Sequence, residues 1–156
     1  MKKMVFLAKL NSGGKLGFVE PSADISKSYS LKSDSYIDSS RLLLKNEKLE
    51  EAVSMAYYSM YYMVLSLLFK VGIKCENHTA SILILKEVFG INNKDIFEAK
   101  TERIDKQYYV DFKVKTSEVE DLISKASEFR KELYDFISKL TSDSIEKYKS
   151  KLKSLL

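Results

Sequence analysis

The sequence is poor in the residues that interrupt helices. Its 156 residues include one proline and five glycines, and there is no tryptophan. Proline and glycine are the residues that most often end a helix or open a turn. A chain of this length that contains so few of them is therefore expected to be mostly helical.

Cysteine and histidine are equally scarce. Cys75 is the single cysteine, so the chain cannot form an internal disulfide, which favours a reducing compartment and the cytoplasm. Cys75 and His78, the single histidine, are too few to build the usual zinc site. The glycine-rich stretch NSGGKLG lacks the spacing of a phosphate-binding P-loop. We therefore expect neither a metal nor another cofactor.

Composition and charge are those of an ordinary globular protein. Hydrophobic residues make up 45% of the chain and charged residues 31%. The net charge of +4 permits contact with nucleic acid but does not require it. The apolar run at residues 63–69 is too short to cross a membrane, and the basic N-terminus lacks a signal-peptide cleavage site. The length fits a single domain over residues 1–156.

Hydrophobic periodicity predicts an all-α fold, and no segment alternates well enough to predict a strand. We expect an antiparallel bundle of four to five helices with a core at about residues 20–140, and short extra helices at the N- and C-terminal ends. The helix expected at 49–71 is apolar almost all round, so it should be the central one. The first long helix is expected to begin near residue 22. The others are expected to cover about residues 79–89, 94–110, 117–140 and 143–155.

Local signals predict helix ends and helix faces. Ser22 is expected to cap the first long helix and Gly72 to end the central one, while Ser117 and Glu120 have the spacing of a capping box. Small residues on one side of the central helix should let a neighbouring helix approach closely: Ala52, Ala56 and Ser59. On the first long helix the face expected to be buried carries Ile25, Tyr29, Tyr36 and Leu43.

The stretch AYYSMYY at residues 56–62 places four tyrosines on the central helix. Residues four apart on a helix are neighbours, so Tyr57 should lie beside Tyr61, and Tyr58 beside Tyr62. A tyrosine ring is apolar, and its hydroxyl needs a partner when it is buried. The two columns are therefore expected either to pack as core and rim within one protomer or to line a dimer interface or a groove beside the helix at 94–110.

Three segments resemble the HEPN superfamily, whose name abbreviates higher eukaryotes and prokaryotes nucleotide-binding. AVSMAYYSMYYMVLSLLFKVGIKCENH, at residues 52–78, resembles its second long helix and the following turn. ERIDKQYYVDF, at 102–112, is similar to its arginine-containing signature, and PSADISKSYSLKSDSYIDSSRLLL, at 21–44, to its first long helix. The resemblance covers about residues 20–140 and is strongest to short, stand-alone prokaryotic members.

The resemblance implies a helical bundle that usually forms a homodimer. Many superfamily members are metal-independent ribonucleases, whose site is an arginine followed by about four to six residues and then a histidine. Other members lack that histidine and act as partners of small nucleotidyltransferases, often as toxin–antitoxin pairs.

The candidate catalytic residues are Arg103, Tyr108 and His78. Arg103 matches the family arginine, and its planar guanidinium suits phosphate oxygens. Five residues later the chain has Tyr108 where the ribonucleases have histidine. Tyrosine is a poor base at neutral pH, since its pKa is about 10. His78 could replace the missing base only if it lies near Arg103, and the spacing of the sequence does not show that.

Further candidates surround Arg103 for binding a nucleotide or RNA. Gln107 lies four residues after Arg103 and shares its helix face. Positive charges nearby could extend a phosphate-binding surface. Tyr108 and Tyr109 resemble a tyrosine that partner nucleotidyltransferases modify with AMP in some members. Together with Arg103, the predicted binding residues are Lys106, Gln107, Tyr109 and Lys113, and the predicted interface residues are Tyr57, Tyr58, Tyr61 and Tyr62.

Three hypotheses follow. The first is a dimeric binding module that pairs with a small nucleotidyltransferase, or binds nucleotide or RNA without cleaving it. The second is a metal-independent ribonuclease that uses Arg103 with Tyr108 or His78. The third is a helical interaction scaffold without a ligand. The absence of histidine at position 108 favours the first.

Overall fold

The structure, a computed structural model, describes residues 1–108 and 113–156, and the side chains of all of these except 105–108. Helices form nearly all of the regular structure, which confirms the predicted all-α class. In chain order the elements are α1 (Lys2–Ser12), β1 (Leu16–Phe18), α2 (Ala23–Lys45), α3 (Leu49–Val71), β2 (Ile73–Cys75), α4 (His78–Glu87), α5 (Lys94–Tyr108), α6 (Thr116–Ser138) and α7 (Ser142–Leu155).

Helix α3 is the centre of the bundle, as predicted. It packs against α2, α5 and α6, and its buried side chains lie along nearly its whole length. By length and composition α3 could cross a membrane, but 67% of its most apolar window is buried inside the protein. That burial is what the central helix of a globular bundle requires, because an all-round apolar surface must be covered by other helices.

Helix α2 approaches α3 through serines spaced seven residues apart, which we call the serine ladder. The hydroxyl of Ser40 donates to the carbonyl of Ala52 at 2.7 Å, and that of Ser33 donates to the carbonyl of Ser59. Small side chains allow this close approach, and the carbonyls of α3 satisfy the buried hydroxyls. The ladder ends where the Ser26 and Ser66 hydroxyls lie 3.0 Å apart.

The ladder confirms one prediction and corrects another. A helix does approach α3 closely on its small-residue side, as expected. The predicted buried face of α2 is wrong at Ile25, whose side chain is 43% exposed. Tyr29, Tyr36 and Leu43 are half-buried, and the fully buried face one position away is mostly serine. Hydrophobic periodicity could not predict this face, because its serines are buried through hydrogen bonds.

Two short strands, which the sequence did not predict, pair beside the C-terminal end of the central helix. Leu16 pairs with Cys75 and Phe18 with Ile73 in an antiparallel register. Each strand has three residues, too few to show alternation in the sequence. Gly72 ends α3 in the left-handed conformation, as predicted, and turns the chain into β2.

The predicted helix starts are correct at α2 and wrong at α6. The Ser22 hydroxyl accepts the amide N–H of Ile25 at 3.1 Å and caps α2. Helix α6 has Lys115 as its N-cap and no side-chain cap, so the expected capping box at Ser117 and Glu120 does not form. The helix begins earlier than predicted, which places Ser117 inside its first turn. A capping box does form at the start of α7, between Thr141 and Ser144.

Candidate arginine–histidine site

The four tyrosines of α3 divide into a buried column and a half-buried column. Tyr57 and Tyr61 are 0% and 5% exposed, and their ring centroids lie 6.1 Å apart. Tyr58 and Tyr62 have the same ring separation, but both side chains reach the surface. Of the four tyrosines, Tyr58 and Tyr62 are therefore the ones that a second protomer could contact. The predicted dimer interface stays a prediction.

The turn after α3 places His78 on the buried column. His78 is the first residue of α4, and the side chain of Asn77 caps this helix by accepting the amide N–H of Ala80 at 2.9 Å. The imidazole stacks on the Tyr61 ring with centroids 3.8 Å apart. Its Nδ1 lies 2.8 Å from the hydroxyl oxygen of Tyr57. The helix start and two aromatic contacts therefore fix the orientation of the ring.

Helix α5 brings Arg103 to the same tyrosines. Its guanidinium donates to the Tyr58 hydroxyl at 3.1 Å and lies 5.3 Å from the ring centroids of both Tyr57 and Tyr58. Both distances are within the range of a cation–π interaction. Arg103 and His78 thus meet at Tyr57, although they lie 25 positions apart in the chain. The spacing of the sequence did not predict this proximity.

The electrostatics of the site keep the imidazole neutral. Burial lowers the pKa of His78, and the positive charges of Arg103 and Lys100 lower it further. Burial raises the pKa of Tyr57 well above its usual value and that of Tyr61 to about 12, so both phenols keep their protons. The site therefore combines the cations of Arg103 and Lys100 with neutral hydrogen-bonding groups.

A second layer of aromatic rings extends the site along α2. Tyr36 meets the edge of Tyr62 at a centroid distance of 4.9 Å, and Tyr29 stacks on Tyr62 at 6.0 Å. The ammonium group of Lys32 lies 4.5 Å from the Tyr62 ring centroid. We call Tyr29, Tyr36, Tyr58 and Tyr62 the aromatic patch. Arg103 contacts the patch through Tyr58, and Lys32 contacts it through Tyr62.

Among the other predicted site residues, only Lys113 has a described side chain. Lys113 is exposed and lines a shallow depression with residues 47–51, at the start of α3. Lys106, Gln107 and Tyr108 belong to α5, but their side chains lie outside the described part of the chain, and Tyr109 lies outside it altogether. Their predicted roles stay predictions.

Sequence reasoning missed several members of the site. It did not pair Tyr57 with His78 or Tyr58 with Arg103, because those contacts depend on how α4 and α5 pack. Lys100 could have been found, since it lies three residues before Arg103 and residues at that spacing share a helix face. Lys32 and Tyr36 share a face of α2 by the same rule.

A groove lies between α5 and α6, and its charge makes it a poor phosphate site. It has a volume of about 410 Å³ and an apolar floor that includes Phe97 and Leu122. Its rim carries carboxylates, among them Glu98, Glu102 and Asp121. Carboxylates repel a phosphate, so the arginine–histidine site fits an anionic ligand better.

Comparison with known proteins identifies the family. Residues 27–140 match the HEPN domain. A UPF0332 protein of Thermotoga maritima is 30% identical over 114 residues, which cover 69% of this chain and 83% of that protein. The predicted resemblance is thereby confirmed, and the chain belongs to the HEPN domain family.

Proposed function

We propose that this HEPN protein binds a phosphate group of RNA or of a nucleotide at the arginine–histidine site. The observation that carries the proposal is the meeting of Arg103 and His78 at Tyr57. Arginine matches the planar geometry of phosphate oxygens, and a cation held against aromatic rings is already oriented for binding. Lys100 adds a second positive charge close to the imidazole.

The aromatic patch favours a nucleic acid over a free inorganic anion. Tyr58 and Tyr62 are half-exposed, and Lys32 adds a positive charge at Tyr62. Proteins that bind single strands combine positive charges for the backbone with aromatic side chains for the bases. The patch offers both chemistries next to Arg103.

Binding without cleavage fits the available groups better than catalysis does. Cleavage without a metal requires a base that removes a proton from the 2′-hydroxyl and a cation that stabilises the phosphorane. Arg103 can supply the cation. Tyr57, which lies beside it, and Tyr61 keep their protons at neutral pH, since burial raises the pKa values of both. The family histidine is replaced by Tyr108.

The family resemblance supports two further parts of the proposal. We propose that the protein forms a homodimer in the cytoplasm, with the half-exposed tyrosines of α3 as candidates for the interface. We also propose a small nucleotidyltransferase as its partner, in a toxin–antitoxin arrangement. Light scattering tests the dimer, and co-purification with a nucleotidyltransferase encoded by a neighbouring gene tests the partner.

A ribonuclease is the second candidate, and the proximity of His78 to Arg103 is the observation that favours it. Both residues contact Tyr57 within one protomer, so a base and a cation could act on one phosphodiester. Tyr108 stays an alternative base for the same reaction.

The test is an RNA-binding titration with a charge-matched control. A 5′-labelled single-stranded oligoribonucleotide is titrated with wild type, Arg103→Gln and Arg41→Gln, and binding is followed by fluorescence anisotropy. Arg41 is half-exposed and pairs with Asp38, so its variant loses the same charge outside the site. Loss of a charged hydrogen-bonding group should weaken binding about tenfold or more for Arg103→Gln, but less than about twofold for Arg41→Gln.

Two outcomes would contradict the binding proposal. Equal losses of RNA affinity in the two variants would show that binding depends on the net charge of the protein and not on Arg103 itself. Cleavage of the oligonucleotide by wild type in the presence of EDTA, abolished in Arg103→Gln, would replace the binding module by the ribonuclease.

A further inference from the structure

The hydroxyl of Tyr57 has one hydrogen-bond partner among the described residues, and that partner is Nδ1 of His78. The Tyr57 side chain is fully buried. A buried hydroxyl whose proton has no acceptor destabilises the fold. An unused acceptor lone pair costs less. The proton of Tyr57 must therefore point at Nδ1, and Nδ1 must carry a lone pair instead of a proton.

The charges around the ring agree with this assignment. An imidazolium would carry a proton on each nitrogen, which would turn the Tyr57 hydroxyl away from its only acceptor among the described residues. The groups that face the imidazole from α5 are the cations Arg103 and Lys100, and both oppose a positive charge on it. From α3 it is faced by the protonated phenols of Tyr57 and Tyr61 and by the ring of Tyr58, which meets it edge-on. A neutral imidazole without a proton on Nδ1 has its proton on Nε2.

The Nε2 atom is available to a ligand. No described residue forms a hydrogen bond with it, and it is not among the enclosed polar atoms that lack a partner. His78 as a whole is half-buried, with its ring held on Tyr61. Nδ1 is therefore hydrogen-bonded within the protein, whereas Nε2 can bind a ligand beside Arg103.

We propose that Tyr57 is a positioning residue that holds His78 as the Nε2–H tautomer, and that this N–H donates to a phosphate oxygen bound by Arg103. The ligand half of this inference rests on the proposed function, whereas the tautomer is a property of the protein alone. The arrangement selects a group that offers only acceptors, such as a phosphodiester or the dianion of a phosphomonoester. It also assigns His78 a binding role, because an Nε2 that already carries a proton cannot remove one from a 2′-hydroxyl.

Nitrogen NMR tests the tautomer directly. His78 is the only histidine, so a long-range ¹H–¹⁵N correlation spectrum contains a single set of imidazole signals and needs no assignment by mutation. In wild type at neutral pH we expect Nε2 to be protonated and Nδ1 to be an unprotonated acceptor. In Tyr57→Phe the Nδ1 shift should move towards the average of two exchanging tautomers. A protonated Nδ1 in wild type, or identical spectra for the two proteins, would overturn the inference.

A pair of His78 variants tests the ligand half. Glutamine can place an amide N–H near the position of Nε2, whereas alanine removes the donor. In the RNA titration we expect His78→Ala to bind about tenfold more weakly and His78→Gln to lose about threefold or less, as for the loss or retention of one hydrogen bond to a charged group. Far-UV circular dichroism and thermal melting confirm that both variants are folded.

The outcomes separate this inference from the proposed function. If both His78 variants bind as weakly as each other while Arg103→Gln is impaired, the phosphate site stands and the donor role of His78 is wrong. If Arg103→Gln binds like wild type, the proposed function fails, and the NMR result still decides the tautomer.

Discussion

Replacing Gly72 by alanine should destabilise the protein more than the same change at other turns. Gly72 has φ of 90°, in the left-handed region that side chains disfavour. A Cβ at this position would lie 2.4 Å from the carbonyl oxygen of Val19 and 3.1 Å from Pro21. Backbone atoms form this obstacle, so the chain would have to move where the turn after α3 meets the segment that follows β1.

The expected cost is the sum of two effects. The left-handed conformation costs a residue with a Cβ about 1–2 kcal/mol. Forcing an atom into a filled space costs about 1–3 kcal/mol more. We therefore expect Gly72→Ala to lower the free energy of unfolding by about 2–5 kcal/mol, a large part of the about 5–15 kcal/mol that stabilises a typical domain.

Gly90 provides the matched control. It has φ of 69°, but a Cβ there would meet nothing within 4 Å. Gly90→Ala should therefore show only the conformational cost, about 1–2 kcal/mol. Urea denaturation followed by circular dichroism gives both values. Equal losses in the two variants would refute the steric reasoning, because only the conformational term would then be present.

The remaining predictions concern the serine ladder and the site. Ser33→Ala should lower the free energy of unfolding by about 1–3 kcal/mol, since the bond donated to Ser59 and the bond accepted from Arg130 are both lost. Exposed Ser28→Ala should change it by less than about 0.5 kcal/mol in the same urea assay. Tyr58→Phe removes an acceptor of Arg103 and should weaken RNA binding severalfold in the anisotropy titration without lowering the melting temperature. Because the pKa of His78 is lower in the folded state, the unfolded chain binds the extra proton first, and stability should fall as the pH drops below about 6.5. Urea titrations at two pH values should show a larger loss for wild type than for His78→Gln.

Elements defined by local signals could be predicted from the sequence. The apolar surface of α3, the Ser22 cap and the Gly72 stop each depend on residues within a turn or two of helix. The strand pair could not, since Leu16 and Cys75 are 59 residues apart and neither strand is long enough to show a pattern. The buried face of α2 was missed because hydrogen-bonded serines carry no hydrophobic signal.

The candidate site could be predicted only in part. Arg103 and the tyrosines of α3 were found through the family resemblance and the AYYSMYY stretch. The contact of His78 with Tyr57 was not, because it depends on the turn at Gly72, the cap of α4 and the packing of the imidazole on Tyr61. Sequence spacing contains no measure of such distances between helices.

The serine ladder has a consequence for the alignment of the two helices that it joins. Its contacts recur every seven residues on both α2 and α3, so sliding α2 by seven residues, about 10 Å, would bring small residues opposite one another again. The ladder alone therefore permits more than one alignment. Only residues 46–48 connect the two helices, and three residues span at most about 10 Å when fully stretched. The short connection thus selects one alignment. A longer connection would also allow the alignment in which α2 is shifted by seven residues along α3.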